Sequence, residues 1–153
     1  HPDDPSLYRL AAWSGIAVSL MGAESIRNIL GTHPLISVHA VGAQDASLFL
    51  GGLDSFVFRT HPNAPEASGR AVMEAMASGL PVIASANGGY AEWLTDGEEG
   101  FFADTQEEMF DRIMTLSTDA GLRKKCATNA RAAAERICGG TARSRYLSWL
   151  TGD

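Results

Sequence analysis

The stretch His61-Pro-Asn-Ala-Pro-Glu66-Ala-Ser-Gly69-Arg-Ala-Val-Met-Glu74-Ala-Met-Ala-Ser-Gly79-Leu-Pro81-Val-Ile83 reads in turn as loop, amphipathic helix and strand. Pro62 and Pro65 fix φ and restrict the residue ahead of each, so the chain before Glu66 stays extended and out of the helix. From about Gly69, the apolar positions Val72, Met73 and Met76 recur at helical spacing with Ala71, Ala75 and Ala77, and Gly79 supplies a C-cap. Pro81-Val-Ile-Ala84 then forms a short apolar strand.

The same alternation extends in both directions. Upstream, Asp3-Asp4-Pro5 opens a helix that runs to Trp13 and is closed by Gly15. Ile16 to Met21 reads as a buried strand, Glu24 to Leu30 as a brief helix stopped at Gly31, and Leu35 to Val41 as a second strand ended by Gly42. Asp45 to Leu50 makes a short helix and Ser55 to Phe58 a third strand. Downstream come a short helix through Glu92-Trp93, an edge-like strand at Gly100-Phe-Phe102, and a tail of two or three helices from Gln106 to Leu150. In the tail, Met109, Phe110, Ile113, Met114 and Leu116 make one apolar face, and Leu122, Cys126, Ala130, Ala133, Ala134 and Ile137 another. Strands this apolar, separated by helices, imply a parallel sheet covered on both faces: an α/β, Rossmann-like three-layer α/β/α fold with a helical C-terminal tail.

Sites in such sheets lie beyond the carboxyl ends of the strands. Gly42, Glu66 and Asn87-Gly88-Gly89 all follow strand ends. Seven residues separate Glu66 from Glu74. Ser68 or Gly69 stands at the helix start, where free N–H groups and the positive dipole end favour an anion, and Gly69 admits close approach by a phosphate. Glu74, one turn further in, is placed to accept hydrogen bonds from ribose hydroxyls, and Glu66 from hydroxyls at the ligand's other end. The pattern suits a diphosphate with two hydroxyl-rich ends. Spacing by itself favours the plainer alternative, an ordinary helix start, because acidic side chains are common in the first turn.

Resemblance shifts that balance. Glu66-Ala-Ser-Gly69, Glu74-Ala-Met-Ala-Ser-Gly79-Leu-Pro81-Val-Ile and Asn87-Gly88-Gly89-Tyr-Ala-Glu92-Trp-Leu-Thr-Asp96-Gly97-Glu-Glu-Gly100-Phe-Phe lie between Leu53 and Asp104. This run resembles the C-terminal, donor-binding domain of retaining glycosyltransferases of GT-B architecture, in the glycogen-synthase-like and mannosyltransferase-like group known as glycosyl transferases group 1. The resemblance implies that Glu66 is the catalytic-site carboxylate, contacting hydroxyls of the donor sugar. It further implies that amides around Gly69, Arg70 and Ala71 hold the diphosphate, that Glu74 binds the ribose, and that the base packs near Gly42-Ala43. Ser68 belongs to the same donor loop but replaces an aromatic of the group, which changes the loop's packing or the space around the sugar. Arg70 is atypical at its position and is either an added charge near phosphate or an exposed surface arginine.

In the group's first strand an Arg and, a few residues on, a Lys neutralise the diphosphate. This chain opens at His1 just past that strand and has no Lys before Lys124; Arg9 is a poor substitute by position. Either that Arg and Lys are lost by truncation or the phosphates are handled differently; the expectation is one nucleotide-sugar-binding domain spanning residues 1–153, truncated at its N-terminus and lacking its acceptor domain. The implied reaction moves a hexosyl group from a nucleotide diphosphate sugar to a hydroxyl acceptor, with no cofactor and no metal. The implied partners are that donor and a glycan or lipid-linked acceptor held by the missing domain, in glycan, polysaccharide or glycolipid synthesis. The implied location is cytoplasmic, at the inner face of the membrane for the full-length protein. The alternative is a non-catalytic nucleotide-binding or interaction module of the same fold. A dinucleotide oxidoreductase is disfavoured, since no G-x-G-x-x-G follows a strand.

Composition agrees. At 153 residues, 45% apolar and 20% charged, the chain is an ordinary globular domain. A net charge of −6 argues against a basic face for nucleic acid or a polybasic membrane patch, and no apolar run is long enough to span a bilayer. Cys126 and Cys138, twelve positions apart, lack paired zinc spacing and read as reduced thiols. His1, His33, His39 and His61 form no ligand cluster; His61 reads as a loop residue packed beside Pro62 more readily than as a donor contact. Arg123, Lys124, Lys125, Arg131, Arg136, Arg143 and Arg145 read as a solvated face.

Overall fold

The computed structural model of the protein describes residues 4–60, 63, 66–140, 144 and 148. In chain order the elements are α1 (Ser6–Trp13), β1 (Val18–Met21), α2 (Arg27–Leu30), β2 (Ile36–His39), α3 (Ala46–Gly51), β3 (Phe56–Phe58), α4 (Arg70–Ala77), β4 (Val82–Ala84), β5 (Gly100–Phe102), α5 (Gln106–Thr118) and α6 (Ala120–Cys138). Single 3₁₀ turns occupy Glu24–Ile26 and Gly89–Glu92. His61, Pro62, Pro65, Arg143, Arg145, Tyr146 and Trp149 lie outside the described residues.

Local chemistry sets the helix starts. Asp45 caps α3 by accepting from the Ser47 amide at 2.8 Å, and Asp119 caps α6 through the Leu122 amide at 2.8 Å. At α5, Thr105 and Glu108 form a reciprocal capping box. Both α2 and α4 give way to left-handed glycines, Gly31 at φ 70° and Gly79 at φ 74°.

All strand pairs are parallel, and β4 lies between β3 and β5. The two-residue period of the strands divides the interior. Phe56, Phe58, Val82, Ala84 and Phe102 pack on one side against Val72, Met76, Tyr90 and the Ala130, Ala133 and Ala134 stripe of α6. Val57, Ile83 and Phe101 pack on the other against Leu7 of α1 and Met109, Ile113 and Leu116 of α5. Helices thus cover both faces, as expected for the Rossmann-like half of a GT-B molecule.

The sheet itself departs from the expected continuous one. β1 and β2 form one ladder and β3, β4 and β5 a second. Ile16 to Met21 was expected as a buried strand, yet β1 starts at Val18 and is half-buried along its whole length, whereas β4 is buried throughout. The physical reason is that, among the described residues, β1 has a strand neighbour on one side only, and its other edge faces a cleft shared with β3.

Candidate functional site

The start of α4 is the best-formed part of the expected site. Gly69 adopts φ 60°, and a Cβ there would stand 2.4 Å from Cδ1 of Tyr90. Only glycine satisfies both the left-handed backbone and that contact. The Gly69 amide donates to Oε1 of Glu66 at 3.2 Å, while the Gly69 carbonyl accepts from Met73 to begin the helix. Glu66 therefore occupies one of the amides expected to meet a diphosphate. The amides of Arg70 and Ala71, in the first turn, remain free of intrahelical acceptors.

Tyr90 holds this loop from beneath, a role sequence reasoning missed. Its ring is fully buried, sits edge-on to Phe58 at 5.5 Å, and its hydroxyl donates to the Ser85 carbonyl at 2.7 Å. Burial pushes the phenol pKa up. Gly89 then donates to the Glu66 carbonyl at 2.9 Å, and a Cβ at Gly89 would lie 2.1 Å from the Ala67 carbonyl oxygen. The Gly88-Gly89 pair thus lets the loop after β4 clamp the backbone that carries Glu66. An aromatic directly after a Gly-Gly pair was the available signal.

The other expected residues divide into two groups. Gly42, Ala71 and Glu74 line a single cleft of about 730 Å³. Arg59, at the carboxyl end of β3, lines it as well. Ser68 and Ala43 are solvent-exposed outside that lining, and the Ala43 amide donates to the Ala40 carbonyl at 3.0 Å. Arg70 is 88% exposed and its Nε lies 3.4 Å from Oε1 of Glu74, an i,i+4 surface pair.

A second, polar pocket of about 370 Å³ opens at the carboxyl ends of β3, β4 and β5, lined by Thr60, Ser85, Ala86, Asn87 and Asp104. Thr60 donates its hydroxyl to Oδ1 of Asn87, and the Ala86 amide donates to Oδ1 of Asp104 at 2.8 Å. Of these, only Asn87 had been noted as following a strand end. Thr60 and Asp104 come together only through the β3–β4–β5 pairing, which no local motif announces.

Three of the tail cations are engaged elsewhere. Lys125 pairs with Glu98 at 2.9 Å, Arg131 pairs with Glu135 at 2.8 Å and reaches the Ala77 carbonyl, and Arg123 donates to the Leu116 carbonyl. Among the described residues, no three His, Cys, Asp or Glu side chains gather as metal ligands, and no helix is long and apolar enough to cross a membrane.

Comparison with known proteins adds a lineage to this geometry. Lipopolysaccharide glucosyltransferase WaaG of Escherichia coli is 33% identical over 93 residues, covering 59% of this chain and 24% of WaaG. A sucrose synthase of Denitrovibrio acetiphilus is 38% identical over 71 residues, covering 42% of this chain and 9% of that protein. Among solved structures, Anabaena Alr3699/HepE in complex with UDP superposes with a TM-score of 0.74 at 22% identity, over 95% of this chain and 45% of its own. The chain thus spans less than half the length of these relatives. The sequence profile described as Glycosyl transferases group 1 matches residues 29–133. The chain belongs to the glycosyl transferases group 1 family, and its fold is that of the C-terminal half of a GT-B glycosyltransferase.

Proposed function

We propose that this chain is the donor-binding half of a retaining glycosyltransferase, which moves a hexosyl group from a nucleotide diphosphate sugar to a hydroxyl acceptor. The observation that carries the reading is that Gly42, Ala71 and Glu74 line one cleft, which runs along β1 and β3, beside the α4 start where Glu66 caps the Gly69 amide. In this reading Glu74 accepts from the ribose hydroxyls and Gly42-Ala43 flank the base. A diphosphate displaces Glu66 from the Gly69 amide and takes the first-turn amides of Gly69, Arg70 and Ala71. The carboxylate so released turns to the hydroxyls of the donor sugar, and Ser68 borders the same space. The relative solved with UDP supports a nucleoside diphosphate as the recognised part of the donor.

Backbone amides and a helix dipole aimed at the leaving diphosphate supply electrostatic stabilisation without a metal or cofactor. The acceptor, a glycan or lipid-linked sugar, meets the donor on a second domain, at the cytoplasmic face of the membrane, in polysaccharide or glycolipid synthesis. The 153-residue chain alone is inactive. Product NMR on the full-length enzyme checks this. The α-donor gives an α-product, turnover survives EDTA, and Glu66→Ala removes it. An inverted product or EDTA-abolished turnover overturns the mechanism.

A second reading, a non-catalytic binding module, draws on the fact that both carboxylates already have intramolecular partners, Glu66 with Gly69 and Glu74 with Arg70. It predicts that Glu66→Ala lowers stability while transfer by the full-length protein is unchanged.

A further inference from the structure

We infer that the polar pocket at the carboxyl ends of β3, β4 and β5 is a saccharide subsite, in which Thr60, Asn87 and Asp104 bind hydroxyls of the acceptor sugar. That the pocket takes a sugar stands on its own lining. That the sugar is the acceptor's rests on the donor reading of the neighbouring cleft.

The lining defines the ligand. Thr60, Ser85, Asn87 and Asp104 all carry polar side chains, and Ala86 completes the wall of this pocket of about 370 Å³. An apolar ligand would strip those groups of water without replacing the bonds. Among the described residues Asp104 is the lining's only charge, so an anion is repelled. A calcium ion, which takes about six to eight oxygen ligands, would find a single carboxylate. A neutral ligand rich in hydroxyls fits. The Ala86 amide donates to Oδ1 of Asp104 at 2.8 Å and fixes the carboxylate, while Oδ2 has no protein partner among the described residues. A carboxylate accepts, an amide side chain both donates and accepts, and a threonine hydroxyl does either. Adjacent hydroxyls on a pyranose ring match that set, and the bond from Thr60 to Oδ1 of Asn87 joins two of the groups that such hydroxyls would bridge.

Position in the fold identifies which sugar. Beyond the carboxyl end of β3, Arg59 lines the cleft along β1 and β3, whereas Thr60 lines the pocket, as the two-residue period of an extended chain dictates. Glu66 links the two spaces. Its carbonyl accepts from the Gly89 amide, two residues past Asn87, and its carboxylate accepts from the Gly69 amide, two residues before Ala71 of the cleft. Electrostatics give the same proximity. Burial is the largest cause of the raised Tyr90 phenol pKa, and the charges of Asp104 and Glu66 add to it, so both carboxylates lie near one buried hydroxyl. With the nucleotide in the cleft and the donor sugar at Glu66, the pocket is the next polar space along the strand ends. Transfer requires the acceptor hydroxyl to be held against the donor sugar, and Thr60, Asn87 and Asp104 are placed to hold the ring that carries it.

Amide NMR on the 153-residue chain tests this, with the methyl α-glycosides of glucose, mannose and galactose as probes at up to about 100 mM, and with UDP, UDP-glucose and Mg²⁺ added separately. At least one glycoside is expected to shift the Thr60, Asn87 and Asp104 amides, with saturating UDP present as well as without it. Asp104→Asn keeps an acceptor for the Ala86 amide. It is expected to weaken that glycoside about tenfold, by removing a charged acceptor, while the UDP shifts at Gly42, Ala71 and Glu74 stay as they are. No shift at Asp104 with any glycoside overturns the subsite, and so does a shift with Mg²⁺ alone. Pocket shifts caused by UDP-glucose in competition with the glycoside would give the pocket to the donor sugar and overturn the acceptor assignment. Absence of UDP shifts at Gly42, Ala71 and Glu74 would count against the donor reading and leave the saccharide pocket standing.

Discussion

Gly69 shows how one residue type can carry two demands. Its φ of 60° excludes most side chains, and its missing Cβ leaves room for the Tyr90 ring. Gly69→Ala combines a left-handed alanine with overpacking, and is expected to destabilise by about 2–4 kcal/mol in urea unfolding; a loss below that range would mean the ring moves freely. Tyr90→Phe keeps the packing but leaves the Ser85 carbonyl, within a buried residue, without its donor. A cost of about 1–2 kcal/mol is expected, with nucleotide affinity unchanged because Tyr90 lies beneath the loop and not on the cleft. Glu74 is the converse case. Its pair with Arg70 is exposed, worth about 0.5 kcal/mol or less, so Glu74→Ala leaves the unfolding midpoint nearly unmoved and reports on the ligand alone.

At the scale of elements, helix ends were the most legible part of the sequence. Gly69 and Gly79 bracket a helix found at Arg70–Ala77, because glycine acts through its own backbone and needs no partner. Thr105 and Glu108 build the start of α5 in the same local way. The Thr105 amide first, then that of Asp104, holds the Glu108 carboxyl below the usual carboxylate range. The folded-state pKa is thus the lower one, so the stabilisation is complete above the unfolded-state value and is lost as pH falls through the folded one. Glu108→Gln is expected to lower the urea midpoint at neutral pH and to narrow the drop on going to about pH 3. Identical pH slopes for the two proteins would rule out the box as an acid-sensitive cap. Strand burial was less legible. Ile16 to Met21 has the composition of a core strand but is half-buried, because burial depends on what lies beside a strand and not on its own residues.

The whole molecule separates what is local from what is assembled. The parallel α/β arrangement followed from apolar runs alternating with helices, and the Glu66 to Glu74 stretch lies between β3 and β4, entering α4. Tyr90, Thr60 and Asp104 entered only with the long-range pairing of β3, β4 and β5, and the division of the sheet was likewise invisible in any window of sequence. The tail gives a check on packing at this scale. Cys126 is fully buried where α6 meets the sheet, and burial pushes its thiol pKa up, whereas Cys138 is exposed. A disulfide reagent at about pH 8 is expected to label Cys138 at once and Cys126 only with global unfolding. Equal rates would contradict the docking of α6.

The most direct test of the central claim is calorimetric titration of the chain with UDP, GDP and ADP, repeated with Glu74→Ala. Binding of one nucleoside diphosphate, weakened about tenfold or more by the substitution, is the predicted result. Equal affinity in the Glu74→Ala protein, or no binding at millimolar ligand, would contradict a donor site in this cleft.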